Sequence, residues 1–282
     1  MPGRSYTGPL PALTSEERAL AGRLRGHVEA LAKRERNADL ETPARYIEQA
    51  LGQKSASHYF ESGGRKVRNI EVGSGEIVVG AHYDTVPGSP GADDNASGVA
   101  VLIELSTILR SLKIRFVAFA NEEAPYFFGP EMGSYVYARE RGAGVRAMFS
   151  LEMLGYYRDA PGSQTYPAPL GLFYPDRADF IAFVGDLGAF RLVRKSIGAF
   201  RRNARFPSEG LAAPSIIPGV SWSDHWSFRK HGYPAVMVTD TAFYRYPHYH
   251  LPSDTPEKLD YERMARVTLG LAGMLKELNE DR

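Results

Sequence analysis

The sequence predicts an α/β fold of three layers, with a central mixed and mostly parallel sheet between helices. Three observations carry that expectation. Six short apolar runs of β character, at 67–72, 77–81, 114–120, 147–151, 170–174 and 235–239, alternate with helical or Gly/Pro-rich segments. The segment 96–112 is apolar on nearly every face, as a helix is when it packs on a sheet and is covered on its other side. Four of the runs also lead directly into polar residues: IVVGA into His82, RFVAFAN into Glu122 and Glu123, AMFSL into Glu152, and AVMVT into Asp240. Open α/β sheets bind ligands beyond the carboxyl ends of their strands, so this placement converges the candidates on one crevice.

The elements follow in order. Residues 15–34 and 41–52 have helical apolar spacing, and the first opens at Thr14-Ser15-Glu16-Glu17 with the chemistry of a capping box. They predict an N-terminal helical segment over about residues 10–55. The β runs and the apolar helix come next. Residues 158–169 and 203–222 are rich in Pro, Gly and Ser, lack sustained periodicity, and read as surface loops or lids. The closing stretch 261–279 places Met264, Val267, Leu271 and Leu275 at helical spacing, a core-facing stripe. With no internal repeat and no linker, one domain is expected over 1–282.

Composition narrows the chemistry. Lys and Arg number 34 against 33 Asp and Glu, and a net charge of +1 gives no global field to recruit nucleic acid or anionic lipid. A peptide or small aminoacyl substrate is the expected partner. The absence of cysteine removes disulfides, thiolate-bound zinc and thiol nucleophiles together, leaving His and carboxylates as the strong metal ligands. The opening residues lack a basic-then-apolar secretory pattern and no segment has the apolar length of a membrane span, so a cytoplasmic location without membrane contact is expected. Nothing in the sequence fixes an oligomeric state.

In His82-Tyr83-Asp84 the two outer residues of an extended segment point the same way, so Asp84 can accept the second ring N–H of His82 and orient it toward a metal. The loop Gly91-Ala92-Asp93-Asp94-Asn95-Ala96-Ser97-Gly98 carries two adjacent carboxylates, more than a helix cap needs. Asp94 is the choice for a bridge with one oxygen to each of two cations. Glu122 and Glu123 end a strongly apolar strand, where one can ligate a metal while the other moves a proton. Glu152 is a carboxylate in an apolar run, costly to bury unless paired or metal-bound. Pro247-His248-Tyr249-His250 offers two histidines, either or both of which can face the site. No Gly-x-Ser-x-Gly elbow occurs, which argues against a serine hydrolase.

HYD, GADDNASG, NEE, SLEMLGYY and HLPSDT stand in the order and approximate spacing of a known family. Over roughly residues 65–275 the chain resembles the zinc-dependent exopeptidases of family M28, which include bacterial leucyl aminopeptidases, glutamate carboxypeptidases and glutaminyl cyclases. The resemblance implies two zincs per chain, one held by His82, Glu152 and Asp94 and the other by Glu123, His250 and Asp94. It makes Glu122 the general base toward a zinc-activated water and Tyr249 a candidate for steadying the oxyanion. The interval from histidine to Asp254-Thr255 selects His250 over His248. Ser223-Asp224-His225-Trp226 is similar to a family motif at the site's rim, where Asp224 either meets the substrate amine or caps a helix. Glu152 stands where family aminopeptidases have Asp and related carboxypeptidases have Glu. Residues 124–131, with Tyr126, Phe127 and Phe128, depart from the family's shorter turn. Aminopeptidase is preferred over carboxypeptidase, and over a cyclase or a non-catalytic binding domain. Arg245 is expected to bind a substrate carboxylate or a loop acid.

Overall fold

The computed structural model describes residues 1–52 and 54–281. Gln53, inside the expected N-terminal segment, and Arg282 lie outside the described residues. Eight strands form one sheet: β1 Ala56–Ser62, β2 Arg65–Gly73, β3 Ile77–His82, β4 Ile114–Phe119, β5 Ala147–Glu152, β6 Ile181–Asp186, β7 Ser208–Ala213 and β8 Ala235–Thr239. Their order across the sheet is β1-β2-β4-β3-β5-β8-β6-β7. The central strands β4, β3, β5 and β8 run parallel, and β6 pairs parallel with β7. Antiparallel pairings join β1 to β2, β2 to β4, and β6 to β8.

The central strands are apolar on both faces because helices cover both. Ile77, Val79, Ala81, Phe149, Leu151, Val236 and Val238 face a large core shared with α1 Ser15–Leu31, α2 Glu41–Leu51, α3 Gly98–Ile108, α5 Phe190–Asn203 and α7 Tyr261–Glu280. Val78, Val117, Phe119, Met148 and Ala235 face the other way, against α4 Gly133–Arg141 and α6 His225–Lys230. Side-chain alternation then directs His82 and Glu152 to the α4/α6 side. Thr14 caps α1 as its sequence predicts: the Glu17 N–H donates to Thr14 Oγ1 at 3.1 Å, and Glu17 Oε2 accepts from the Thr14 N–H at 2.6 Å. No helix among the described residues is long and apolar enough to cross a membrane.

Three local readings are corrected. Residues 170–174 do not form a strand: Leu170–Leu172 make a single tight turn, with Leu172 and Phe173 exposed. Apolar residues there line a cavity and its rim instead of pairing in a sheet. Within 203–222, expected to be loop, Ser208–Ala213 form β7, an edge strand of small residues whose composition hides it. The strands β1 and β6 were not anticipated at all, and half-polar β1 lies at the sheet's opposite edge.

Candidate metal centre

The loops after β3, β4, β5 and β8 converge where the sequence placed them. His82 Nε2 lies 3.3 Å from Asp94 Oδ1 and 3.5 Å from Glu152 Oε2. On the other side, His250 Nε2 lies 3.0 Å from Asp94 Oδ2 and 3.5 Å from Glu123 Oε1. The two oxygens of Asp94 thus serve two different histidine–glutamate pairs. Ligating atoms of His82, Asp94 and Glu123 all fall within 4.8 Å of one another. Glu122 stands next to this group, its Oε2 3.9 Å from His82 Nε2.

Each side chain is held by a specific local device. Asp84 Oδ1 lies 3.4 Å from His82 Nδ1, and the two oxygens of Asp84 accept the backbone N–H groups of Glu122 and Glu123 at 3.1 and 2.9 Å. Asp84 therefore stands beside the His82 ring and fixes the turn that presents both glutamates. Asp254 does the same for the acidic loop, accepting from the N–H groups of Asp93 and Asp94 at 2.8 and 3.1 Å and from the Tyr246 hydroxyl at 2.8 Å. Gly98 lets that loop approach β5, since a Cβ there would stand 2.7 Å from the Leu151 carbonyl oxygen. Ser223 Oγ donates to Glu152 Oε2 at 2.6 Å.

The electrostatics are those of a site built around positive charge. Burial pushes the Glu122 carboxyl well above the usual range, and the neighbouring carboxylates of Glu123, Glu152 and Asp224 add to the rise. Burial, with Asp94 nearby, raises Glu123 to about 7. Burial alone would lower the histidines, but the surrounding acids outweigh it: hydrogen bonds and charge from Asp94 and Glu123 raise His250 to about 10, and the charges of Glu152 and Glu122 hold His82 well above its ordinary value. Both ring nitrogens of His82 and Asp94 Oδ1 are buried with no hydrogen-bond partner among the described residues. Orphaned donors and acceptors at the centre of an acidic cluster suit a cation, and oxygen and imidazole donors suit zinc.

The remaining candidates sort clearly. The Tyr249 ring stacks on His250, with centroids 3.7 Å apart. His248 turns away, its Nδ1 within 2.9 Å of Ser253 Oγ. Asp224 immediately precedes α6 but makes no capping bond, and both of its oxygens are buried without a hydrogen-bond partner among the described residues. Arg245 is buried and donates to no carboxylate among the described residues: its partners are Gln164, Thr241 and the carbonyls of Tyr156, Ala178 and Phe180. His27 and His58 are structural, beside Glu104 and Glu71 respectively. The 124–131 segment places Phe127 and Phe128 in an aromatic stack that reaches Trp226.

Sequence reasoning gave Ser223 no role of its own and missed Arg36. Arg36, in the α1–α2 connection, is buried and donates to the carbonyls of Leu31, Tyr83, Asp84, Pro90 and Gly91, tying the two ligand loops together from behind. Its only sequence signal is a position in a polar stretch with no motif.

Fold and site together define a metal-dependent hydrolase of the α/β class. A model of peptidase family M28 matches residues 66–275, and the chain belongs to that family of zinc metallopeptidases. It is 40% identical over 258 residues to the uncharacterized protein YfbL of Escherichia coli, covering 84% of this chain and 80% of that one. It is 26% identical over 217 residues to leucine aminopeptidase 1 of Ajellomyces dermatitidis, covering 70% of this chain and 51% of the relative, so it spans about half of that protein's length. The structure of BSAP, a zinc aminopeptidase from Bacillus subtilis, superposes with a TM-score of 0.57 at 25% identity, covering 77% of this chain and 51% of that one.

Proposed function

We propose that this chain is an aminopeptidase that removes the amino-terminal residue of a peptide, with Glu122 as general base and two zinc ions held by His82, Asp94 and Glu152 and by His250, Asp94 and Glu123. The observation that carries the reading is the division of the Asp94 oxygens between two histidine–glutamate pairs. Zinc bound there supplies Lewis acidity, polarising the scissile carbonyl and bringing the pKa of water toward neutrality.

The chain's own groups perform the proton work. Glu122 is the member of the acidic turn not placed against His250, and it takes the proton of the attacking water and passes it to the leaving amine. Burial and neighbouring acids raise its proton affinity, which suits a group that must hold a proton briefly. Asp84 keeps Glu122 and Glu123 in fixed relation through their backbone amides. Tyr249, held flat on His250, offers its hydroxyl to the developing oxyanion. Asp224, buried and unpartnered, offers its carboxylate to the substrate ammonium. Glutaminyl cyclisation needs neither a general base for water nor a paired metal site, so the complete set of five ligand positions supports hydrolysis.

Glu122→Gln tests the assignment. The variant should bind zinc as the parent does and lose about 10²- to 10⁴-fold in kcat on aminoacyl anilides. Parental turnover by the variant would remove Glu122 from the role.

A further inference from the structure

A pocket opens directly beside the metal centre, with Glu152 and Tyr249 in its wall. The sheet register explains its shape. Glu152 on β5 is opposite Thr239 on β8, Thr239 is opposite Ala182 on β6, and Ala182 is opposite Glu209 on β7. Directly opposed residues share a face, and all four line the cavity. The floor is therefore one row across the sheet, on the order of 14 Å long at three strand spacings, with small side chains in the middle and a carboxylate at each end. The walls are aromatic: Tyr166, Tyr174, Phe180, Trp222 and Phe243.

We propose that this slot receives the side chain of the amino-terminal residue and that Glu209 makes it selective for a bulky aromatic one carrying a hydrogen-bond donor at its far edge, tyrosine or tryptophan. The proposal rests on the aminopeptidase reading, which places the residue's backbone beside Glu152. An aromatic side chain then spans roughly 6 to 7 Å of the row at ordinary bond lengths, and the Glu209 side chain, about 4 to 5 Å from Cα to carboxylate, covers most of the remainder. A small aliphatic side chain would leave the aromatic walls without contacts. A neutral donor suits Glu209 better than a cation. Arg201 Nη2 already stands 3.7 Å from Glu209 Oε2, while the Arg201 N–H groups are taken by the carbonyls of Pro2, Gly3 and Ser208 and by the Ser208 hydroxyl. Burial also raises the Glu209 carboxyl above its ordinary value.

The test has two readouts. The first is kcat/KM on tyrosyl, tryptophanyl, phenylalanyl, leucyl, lysyl and alanyl anilides. Tyrosyl and tryptophanyl should lead, exceeding alanyl by about 10²-fold or more. Glu209→Leu should lower the tyrosyl-to-phenylalanyl ratio about tenfold, and Ala182→Phe, which fills the floor, should collapse the aromatic-to-alanyl ratio. The second is calorimetric binding of L-tyrosinamide and L-alaninamide to zinc-loaded Glu122→Gln protein, which should favour tyrosinamide by a similar factor. Lysyl or alanyl ranking first, or equal binding of the two amides, would overturn the slot. Selective tyrosinamide binding with no hydrolysis of any anilide by the parent would instead overturn the aminopeptidase reading and leave the slot standing.

Discussion

Asn121, Met153 and His250 hold left-handed backbone conformations, with φ of 59°, 51° and 58°, and each is a proposed ligand or an immediate neighbour of a catalytic or ligating glutamate. Non-glycine residues adopt that region at a cost, and it persists where surrounding contacts over-determine it. Here Asp84 supplies one such contact after Asn121, through two backbone amides. Asp84→Asn keeps the size but replaces an acceptor oxygen with a donor facing an N–H group. The variant should be about 1 to 3 kcal/mol less stable in urea melts and should bind zinc about 10- to 100-fold more weakly by competition with a chelating dye. Zinc affinity equal to the parent's would show that Asp84 does not position the ligands. The spacing in HYD made a partner for His82 legible, because residues two apart in an extended segment share a direction. The clamp on Glu122 and Glu123 was not legible, because it joins loops 38 and 39 residues apart in sequence.

The N-terminal helices act on the site through the α1–α2 connection. Arg36 satisfies carbonyls from both ligand loops, so Arg36→Met should leave them unpaired in a dry environment and cost about 3 kcal/mol or more. It should also weaken zinc binding, a loss that a purely local packing defect would not produce. A second tie joins α1 to α3, where Glu104 meets Arg23 Nη2 at 2.9 Å and His27 Nε2 at 3.3 Å. Burial raises the Glu104 carboxyl, but hydrogen bonds from His27 and Arg23 outweigh it and hold the folded-state pKa below the ordinary 4.5. A depressed carboxyl binds fewer protons in the folded state, so its contribution is complete above about pH 4.5 and fades as pH falls through the lower folded value. Glu104→Gln should therefore flatten the fall in stability below pH 4.5, and parallel melting curves for parent and variant across pH 3 to 6 would contradict this. The helices α1, α2, α3 and α7 and the central parallel strands were readable at this scale, whereas the interior strand β6 and the amphipathic helix α5 were overlooked. Edge strands and rim turns were not readable either: β7 is Gly- and Ala-rich, and the apolar Leu170–Leu172 turn mimics a strand.

Across the molecule, Asp84, Asp94, Glu122, Glu123, Glu152 and Asp224 are buried in one crevice. Acids buried so close together repel one another unless cations or protons intervene. Metal binding should thus contribute to stability as well as chemistry. Zinc at a hundredfold excess over its dissociation constant adds about 2.7 kcal/mol per site. Chelation should lower Tm by about 5 °C or more in a domain of this size, reversibly on zinc return. A Tm unmoved by chelator would argue that the crevice is held by shared protons alone.

The sequence by itself determined the α/β class and the central parallel strands and marked His82, Glu122, Glu123 and Glu152, because burying a run of apolar residues and ending it on an acid or a histidine is a local pattern with one economical meaning; the choice of His250 over His248 and the grouping of five ligands rested on the resemblance to family M28. Tertiary structure alone decided the clamp of Asp84 on two backbone amides, the tie through Arg36 and the slot from Glu152 to Glu209. Each of these depends on which distant strands lie side by side and in what register, and register is set by packing across the whole sheet rather than by any local run of residues.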